Sequence, residues 1–205
     1  MASTSQQIYY LGIIGWNSGN ISMQNVYATI QVQGTYFNCF AIIGLQATNS
    51  HYAELINLNT SISFSSVSGF YVGSIIGADI TDNCYILNTT IVGGNIRSGS
   101  NFVGGFCGVV QSGVNLIIQN STIQKLNISG AYLGGFVGVC QSSLQVINSK
   151  IQFVRLSGSN IGIVVGESQN GVYSIRGSTS ILNYINNELI HDCSYLSNVW
   201  SYVGC

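Results

Sequence analysis

Six carboxylates are all the acid that this 205-residue chain carries: Glu54, Asp79, Asp82, Glu167, Glu188 and Asp192. Hydrolysis of a glycosidic bond needs two carboxyl groups flanking it, roughly 5 to 10 Å apart. Asp79 and Glu167 occupy similar offsets in a repeating pattern but stand three repeats apart, which at one strand spacing per repeat is roughly 14 Å. The run His191, Asp192, Cys193 holds an imidazole, a carboxylate and a thiol. A tetrahedral zinc site asks for more ligands, and a thiol nucleophile for a base oriented by a third group. The six cysteines, Cys39, Cys84, Cys107, Cys140, Cys193 and Cys205, show no C-x-x-C spacing. They leave two alternatives open, up to three disulfides or small buried hydrophobes. Lys125 and Arg155 share an offset and read as solvated. Five Lys and Arg in total are too few to neutralise a phosphate backbone or to hold an anionic membrane surface, so no nucleic-acid role is expected. These residues predict no enzyme, no metal and no cofactor.

The elements that would have to position such groups are legible in a recurrent phrase. YYLGIIG, NCFAIIG, YVGSIIG, FVGGFCG, YLGGFVG and NIGIVVG close on Gly15, Gly44, Gly77, Gly108, Gly138 and Gly166, with a period of 28 to 33 residues. Self-similarity at that period is the signature of a solenoid. Composition agrees: charged residues are 5%, there is no proline, and 25 glycines accompany abundant Ile, Val, Tyr, Ser, Asn and Thr. β-Branched and aromatic residues suit pleated surfaces, and proline cannot donate to a ladder. The expected fold is all-β, a parallel β-solenoid (β-helix) of about six rungs with a period near 30 residues. Residues 1–180 form the repeats, and 181–205 an irregular segment plus an incomplete seventh rung. No apolar stretch reaches the roughly eighteen residues of a membrane-spanning helix, and no membrane insertion is expected. The opening MASTSQQIYY lacks the basic and apolar regions of a secretory signal.

In a parallel coil, equal offsets stack about 4.8 Å apart and form ladders. Two residues before each closing glycine stand Ile13, Ile42, Ile75, Phe106, Phe136 and Val164, an apolar column. Gly73, Gly104, Gly134 and Gly162 mark a place where backbone comes close or bends sharply. Tyr9, Tyr71, Phe102 and Tyr132 form an aromatic column that covers a corner or serves as a sugar-stacking platform. Phe37 is one residue out of this register and Asn160 breaks the series. Asn59, Asn88, Asn120 and Asn148 precede a hydroxyl residue or lysine and then isoleucine, predicting an asparagine ladder at a turn. Adjacent apolar residues such as Ile13 with Ile14, Ile42 with Ile43 and Phe136 with Val137 have two readings. Strict alternation sends one of each pair outward as an apolar stripe, whereas a glycine-associated bulge turns both inward.

These phrases resemble the GLUG family of glycine-rich repeats. Gly104 to Gly108 (GGFCG) and Gly134 to Gly138 (GGFVG) look like its signature, with phenylalanine at the place of its leucine. Asn83, Cys84 and Tyr85 look like the NCY that often follows. The resemblance covers most of the chain and implies an extracellular repeat stalk or surface region with no catalytic residues. Five N-x-S/T sequons, at Asn20, Asn59, Asn88, Asn120 and Asn127, fit that compartment in a eukaryotic source, and sugar is expected chiefly on Asn20 and Asn127.

Ser197 to Gly204 (SNVWSYVG) resembles the opening of a further rung, so Val199, Trp200, Tyr202 and Gly204 are a candidate end interface. An uncapped rung offers unpaired backbone groups to a matching strand. Alternatively 181–193 (ILNYINNELIHDC) folds as a small cap. The expected function is an extracellular or cell-surface structural repeat protein that self-associates end to end into a filament, with lateral pairing as a further possibility, or forms part of a longer stalk. The alternative is an adhesin or carbohydrate-binding module that uses the aromatic column on glycans. Ice binding is disfavoured because the hydroxyl columns mix Ser, Thr and Lys.

Overall fold

The computed structural model describes residues 10–196 apart from 12, 18, 34–36, 41, 47–51, 68, 80–82, 99–101, 170–171, 182, 187 and 191–192. Every regular element among the described residues is a strand. The first rung comprises β1 (Tyr10–Leu11), β2 (Ile14–Asn17), β3 (Ile21–Gln24) and β4 (Tyr27–Gln33). The second comprises β5 (Phe37–Phe40), β6 (Ile43–Gln46), β7 (Ala53–Ile56) and β8 (Asn59–Val67), and the third β9 (Gly69–Gly73), β10 (Ile76–Asp79), β11 (Asn83–Leu87) and β12 (Thr90–Ser98). Next come β13 (Phe102–Gly104), β14 (Cys107–Val110), β15 (Asn115–Gln119) and β16 (Thr122–Gly130), then β17 (Tyr132–Gly134), β18 (Val137–Cys140), β19 (Ser143–Ile147), β20 (Lys150–Gln152) and β21 (Arg155–Gly158). The last rung holds β22 (Ile161–Gly162), β23 (Val165–Ser168), β24 (Val172–Arg176), β25 (Ser178–Ile181) and β26 (Asn183–Ile185), followed by β27 (Glu188–Ile190) and β28 (Cys193–Leu196).

Corresponding strands stack into parallel sheets, so the chain is a β-solenoid with a period near 30 residues. The first sheet runs β1-β5-β9-β13-β17-β22, the second β2-β6-β10-β14-β18-β23 and the third β3-β7-β11-β15-β19-β24. The fourth follows β4-β8-β12-β16-β21-β26-β27, with β20, β25 and β28 beside that path. Four interior rungs are thus paired on both sides and lie between a first and a last rung. Parallel pairing continues through Ile185, where β26 aligns with β21. Beyond it the direction reverses, since β27 pairs antiparallel with β26 and β28 antiparallel with β25.

The inward side chains form one continuous apolar core. Ile42, Ile75, Phe106 and Phe136 are fully buried, and the rings of Phe106 and Phe136 stack 5.4 Å apart at 17°. Ile91, Ile123 and Ile151 form another column in direct register. Like residues at one offset bury each other's surface along the axis, which is why a short apolar phrase repeated at the correct period is enough to build a core.

In the four interior rungs the adjacent apolar pairs both point inward, so no stripe of the kind strict alternation predicts runs along them, whereas on the first rung Ile13 is 57% exposed. Ile42 and Ile43, Ile75 and Ile76, Phe106 and Cys107, and Phe136 and Val137 are all buried. Their backbone explains it. Phe136 O accepts from both Phe106 N (2.8 Å) and Cys107 N (3.1 Å), and Val164 O from both Phe136 N and Val137 N, each at 3.0 Å. Two successive N–H groups aimed at one carbonyl bend the strand as a bulge does, and alternation is lost at that corner. The glycines beside the corner are sterically required. A Cβ on Gly73, Gly104, Gly134 or Gly162 would overlap the carbonyl oxygen three residues on, at Ile76, Cys107, Val137 and Val165.

Candidate functional site

Four features carry the polar and aromatic chemistry of this coil: the asparagine turn, the aromatic column, the amide rows and the ends. At the turn between the third and fourth sheets, Asn25, Asn57, Asn88, Asn120 and Asn148 all adopt positive φ, from 47° to 56°. The left-handed region costs most L-residues about 1–2 kcal/mol, and Asn tolerates it best after Gly. Gly177, at φ 60°, ends the column. Each backbone N–H donates to the next rung, as Asn88 N does to Gln119 O (2.9 Å) and Asn120 N to Ile147 O (3.0 Å). The Asn57 Nδ2 donates to Asn25 Oδ1 at 3.0 Å.

Asn59 does not belong to this ladder. It aligns with Tyr27 on one side and Thr90 on the other, two places beyond the turn, and Asn57 takes the turn position. The phrase INLNTSI offers both asparagines, and only Asn59 precedes an isoleucine, Ile62, by the same three residues as its counterparts. The register instead places Thr60 beside Ile91 and Ile62 beside Gly94. The third rung has one residue more here than the second, a bulge whose extra position is Gly93, Lys125 and Phe153 in successive rungs, at φ 71°, 58° and 55°.

Directly after the turn runs a column that the sequence pattern did not single out. Thr89, Ser121, Ser149 and Ser178 are at most 2% exposed. Thr89 N donates to Ser121 Oγ (3.1 Å), Ser121 N to Ser149 Oγ (3.2 Å) and Ser149 N to Ser178 Oγ (3.1 Å). In return Ser121 Oγ donates to Gln119 O (2.8 Å) and Ser149 Oγ to Ile147 O (2.9 Å). These hydroxyls satisfy backbone N–H groups that the left-handed turn takes out of the ladder. The signal was the small hydroxyl residue after Asn88, Asn120 and Asn148, whereas Val26 and Leu58 follow the first two turn asparagines.

The aromatic column is confirmed in its middle and shifted at its start. Phe102 aligns with Tyr71 and with Tyr132. The Tyr71 and Phe102 rings stack at 5.7 Å and 13°, and Phe102 meets Tyr132 at 5.4 Å and 41°. Tyr9 lies outside the described residues; Tyr10 aligns with Cys39, which aligns with Tyr71, so the column begins one residue later than counting from the glycine suggests. Between paired positions the early rungs are a residue shorter, since two residues separate Phe40 from Ile43 where three separate Val72 from Ile76. The half-buried rings lie outside the main core and pack on Ala78, Val109 and Val139.

Amides stack elsewhere, exposed at Asn127 and half-buried at Gln152. Asn127 Nδ2 donates to Asn95 Oδ1 (2.9 Å) and Gln152 Nε2 to Gln124 Oε1 (2.9 Å). All five sequon asparagines, Asn20, Asn59, Asn88, Asn120 and Asn127, are exposed. Of the other chemical groups, Cys84, Cys107 and Cys140 are buried thiols, and Cys107 Sγ donates to Val109 O at 3.2 Å. Lys125 and Arg155 do not share a column, since Lys125 falls beside Phe153 while Arg155 aligns with Asn127. The Gln111 to Val114 connection is two residues longer than its counterpart in the next rung, which displaces the count. Arg155 instead lies 5.1 Å over the Tyr184 ring. No group of three His, Cys, Asp or Glu that could hold a metal ion occurs among the described residues. His191 and Asp192 lie outside them.

The two ends differ. On the first rung, Ile13, Trp16 and Tyr27 are 57%, 62% and 80% exposed, and β1, β2, β3 and β4 are the outermost strands of their sheets. At the other end β22, β23 and β24 are outermost, while the fourth sheet is covered by the antiparallel β27 and β28. Of these two strands, β27 lies within 181–193, the segment with the alternative reading of a cap, and β28 shares only Cys193 with it. Beneath them Asn183, 1% exposed, takes the core position occupied by Val154 one rung earlier. It accepts from Val154 N (2.9 Å) and donates to Ile151 O (3.1 Å) and Ser180 Oγ (2.7 Å). Val199, Trp200, Tyr202 and Gly204 lie outside the described residues. Compared with known proteins, the chain matches no family model, no curated protein and no solved structure.

Proposed function

We propose that this is a structural repeat protein of the cell surface or extracellular space, related to GLUG-type repeats, whose subunits stack end to end or continue as part of a longer stalk. The observation that carries this reading is the first rung: outermost strands in four sheets accompany exposed Ile13, Trp16 and Tyr27. Outermost strands beside exposed apolar side chains are the template that parallel augmentation uses. A second subunit would bring β22, β23 and β24 against β1, β2 and β3 and continue three ladders, leaving the antiparallel strands to close the fourth. Exposed sequons support a glycoprotein, with sugar on Asn20 and Asn127. Both stand off the left-handed turn, and a glycan supplies solubility where charge is scarce.

The rival role as a glycan-binding module draws less support from the aromatic column. Tyr71 and Phe102 stack face to face and pack on an apolar cluster, whereas a sugar needs an open ring face. Electron microscopy of native material tests the main reading. Filaments with an axial repeat of about 29 Å per subunit, or a multiple of it, are expected. Monodisperse short rods would sink the polymer and leave the stalk fragment. Unmodified mass in native material would remove the glycoprotein part.

A further inference from the structure

The outer face of the third sheet carries an apolar patch among polar residues such as Ser22, Asn83, Asn115 and Ser143. In β15, Leu116 and Ile118 point into the core and Ile117 points out. Register places Tyr85 and Gln145 on either side of Ile117. The next outward column reads Gln24, Ile56, Leu87, Gln119, Ile147 and Arg176. All but Gln24 and Arg176 are half-buried by their neighbours alone. Among the described residues, the one carboxylate and the one guanidinium on this face are Glu54 on β7, the second strand, and Arg176 on β24, the sixth.

We infer that this face pairs with the same face of a second copy, in an antiparallel arrangement of the two rods about a two-fold axis through β15. The symmetry makes the proposal specific, because an axis through the fourth strand brings the third strand of one copy over the fifth of the other, and the second over the sixth. Ile117 then meets Ile117, Gln119 meets Gln119, and Leu87 lies over Ile147. Glu54 comes beside the partner's Arg176 at both ends of the contact, with the Ile56 side chain beneath the arginine stem. A parallel arrangement would put equal rungs together, leaving Glu54 and Arg176 without opposite charges, so charge selects the antiparallel one. An isologous contact of this kind closes on itself.

The face measures roughly 29 Å along the axis and 16 Å along the strands, about 450 Å² per copy. At about 900 Å² in total this lies below the roughly 1,200–2,000 Å² of stable interfaces, so a single pair of rods associates weakly and transiently. Rods lengthened by end-to-end stacking would repeat the face and gain avidity. The pairing does not depend on such stacking.

The test uses the full chain in sedimentation velocity over a concentration series, with thermal unfolding as the control for folding. Ile117→Arg sets two guanidinium groups on the two-fold axis, and self-association is expected to weaken at least tenfold with the unfolding midpoint unchanged. Glu54→Arg is expected to weaken it similarly, and Glu54→Arg with Arg176→Glu to restore it. In a second measurement, Ile117→Cys, which faces itself across the axis, forms a disulfide-linked dimer under mild oxidation. Asn127→Cys, on the outer face of β16, reports random collision above the background of the native cysteines. A wild-type chain that stays monomeric, charge reversal without rescue, or equal cross-linking at 117 and 127 overturns the pairing. Loss of filaments with pairing retained would instead count against end-to-end stacking alone.

Discussion

A few side chains in this coil depart from the rule that each column repeats its own chemistry, and they are where single substitutions read most clearly. Thr60 stands 1% exposed between Ala28 and Ile91, and its Oγ1 has no hydrogen-bond partner. A buried, unpaired hydroxyl costs free energy that a methyl of the same shape does not. Thr60→Val is therefore expected to stabilise the fold by about 1 kcal/mol in denaturant unfolding. Tyr52 gives a pH-dependent prediction. Its hydroxyl hydrogen bond to Glu54, then burial, then the charge of Glu54 and of Tyr85 raise its pKa above the ordinary 10.0. A raised folded-state value means that the contribution is fully present below 10.0 and is lost as pH rises through the folded value. Glu54→Gln is expected to move one tyrosine's ionisation back toward 10.0, seen by near-ultraviolet absorbance as a difference that disappears in the Tyr52→Phe background.

At the scale of the elements, the corner between the first and second sheets depends on glycine because carbonyl oxygen already fills the place of a Cβ. Gly134→Ala would drive the methyl into Val137 O and within 2.9 Å of Gly166 N, and is expected to cost about 3 kcal/mol. Gly19, where an added Cβ meets nothing within 4 Å, is the control, with Gly19→Ala within about 0.5 kcal/mol of wild type. The buried hydroxyl column makes a parallel case. Ser149→Ala leaves Ser121 N without its acceptor and is expected to cost about 2 kcal/mol, measured by the same unfolding. The corner glycines and the apolar columns were readable from the period, since both follow from counting back a few residues from each closing glycine. The exchange of Asn59 for Asn57, the later start of the aromatic column at Tyr10 and the separation of Lys125 from Arg155 were not. Each arises where one rung is a residue or two longer than its neighbour, and counting cannot tell which side of a bulge or loop absorbs the extra length.

For the whole molecule the decisive feature is that its ends are not equivalent. Among the described residues the first rung presents outermost strands with Trp16 exposed, and the last closes its fourth sheet with antiparallel strands over the hydrogen-bonded Asn183. If rods stack through the first rung, Trp16→Asp buries a carboxylate in the joint. It is expected to shorten filaments severalfold by electron microscopy, leaving the unfolding midpoint of the single rod unchanged. The same substitution is expected to leave the sheet-face pairing through Ile117 intact, because the two surfaces share no residue. Assembly along the axis and assembly across it are thus separable by one charge each.

By itself the sequence determined the class and the pitch of this protein. A closing phrase repeated every 28 to 33 residues, without proline and with little charge, permits few structures other than a parallel coil, because only stacking at a constant offset buries each phrase against its copies. It also marked the glycine corners, whose steric demand is local. The tertiary structure alone decided the register of each rung against the next, and with it which asparagine bends the chain, which apolar residues face inward as pairs and which face out. Side-chain direction in a strand reverses with a shift of one residue, and the hydrogen bonds between rungs, not the spacing within them, choose that residue.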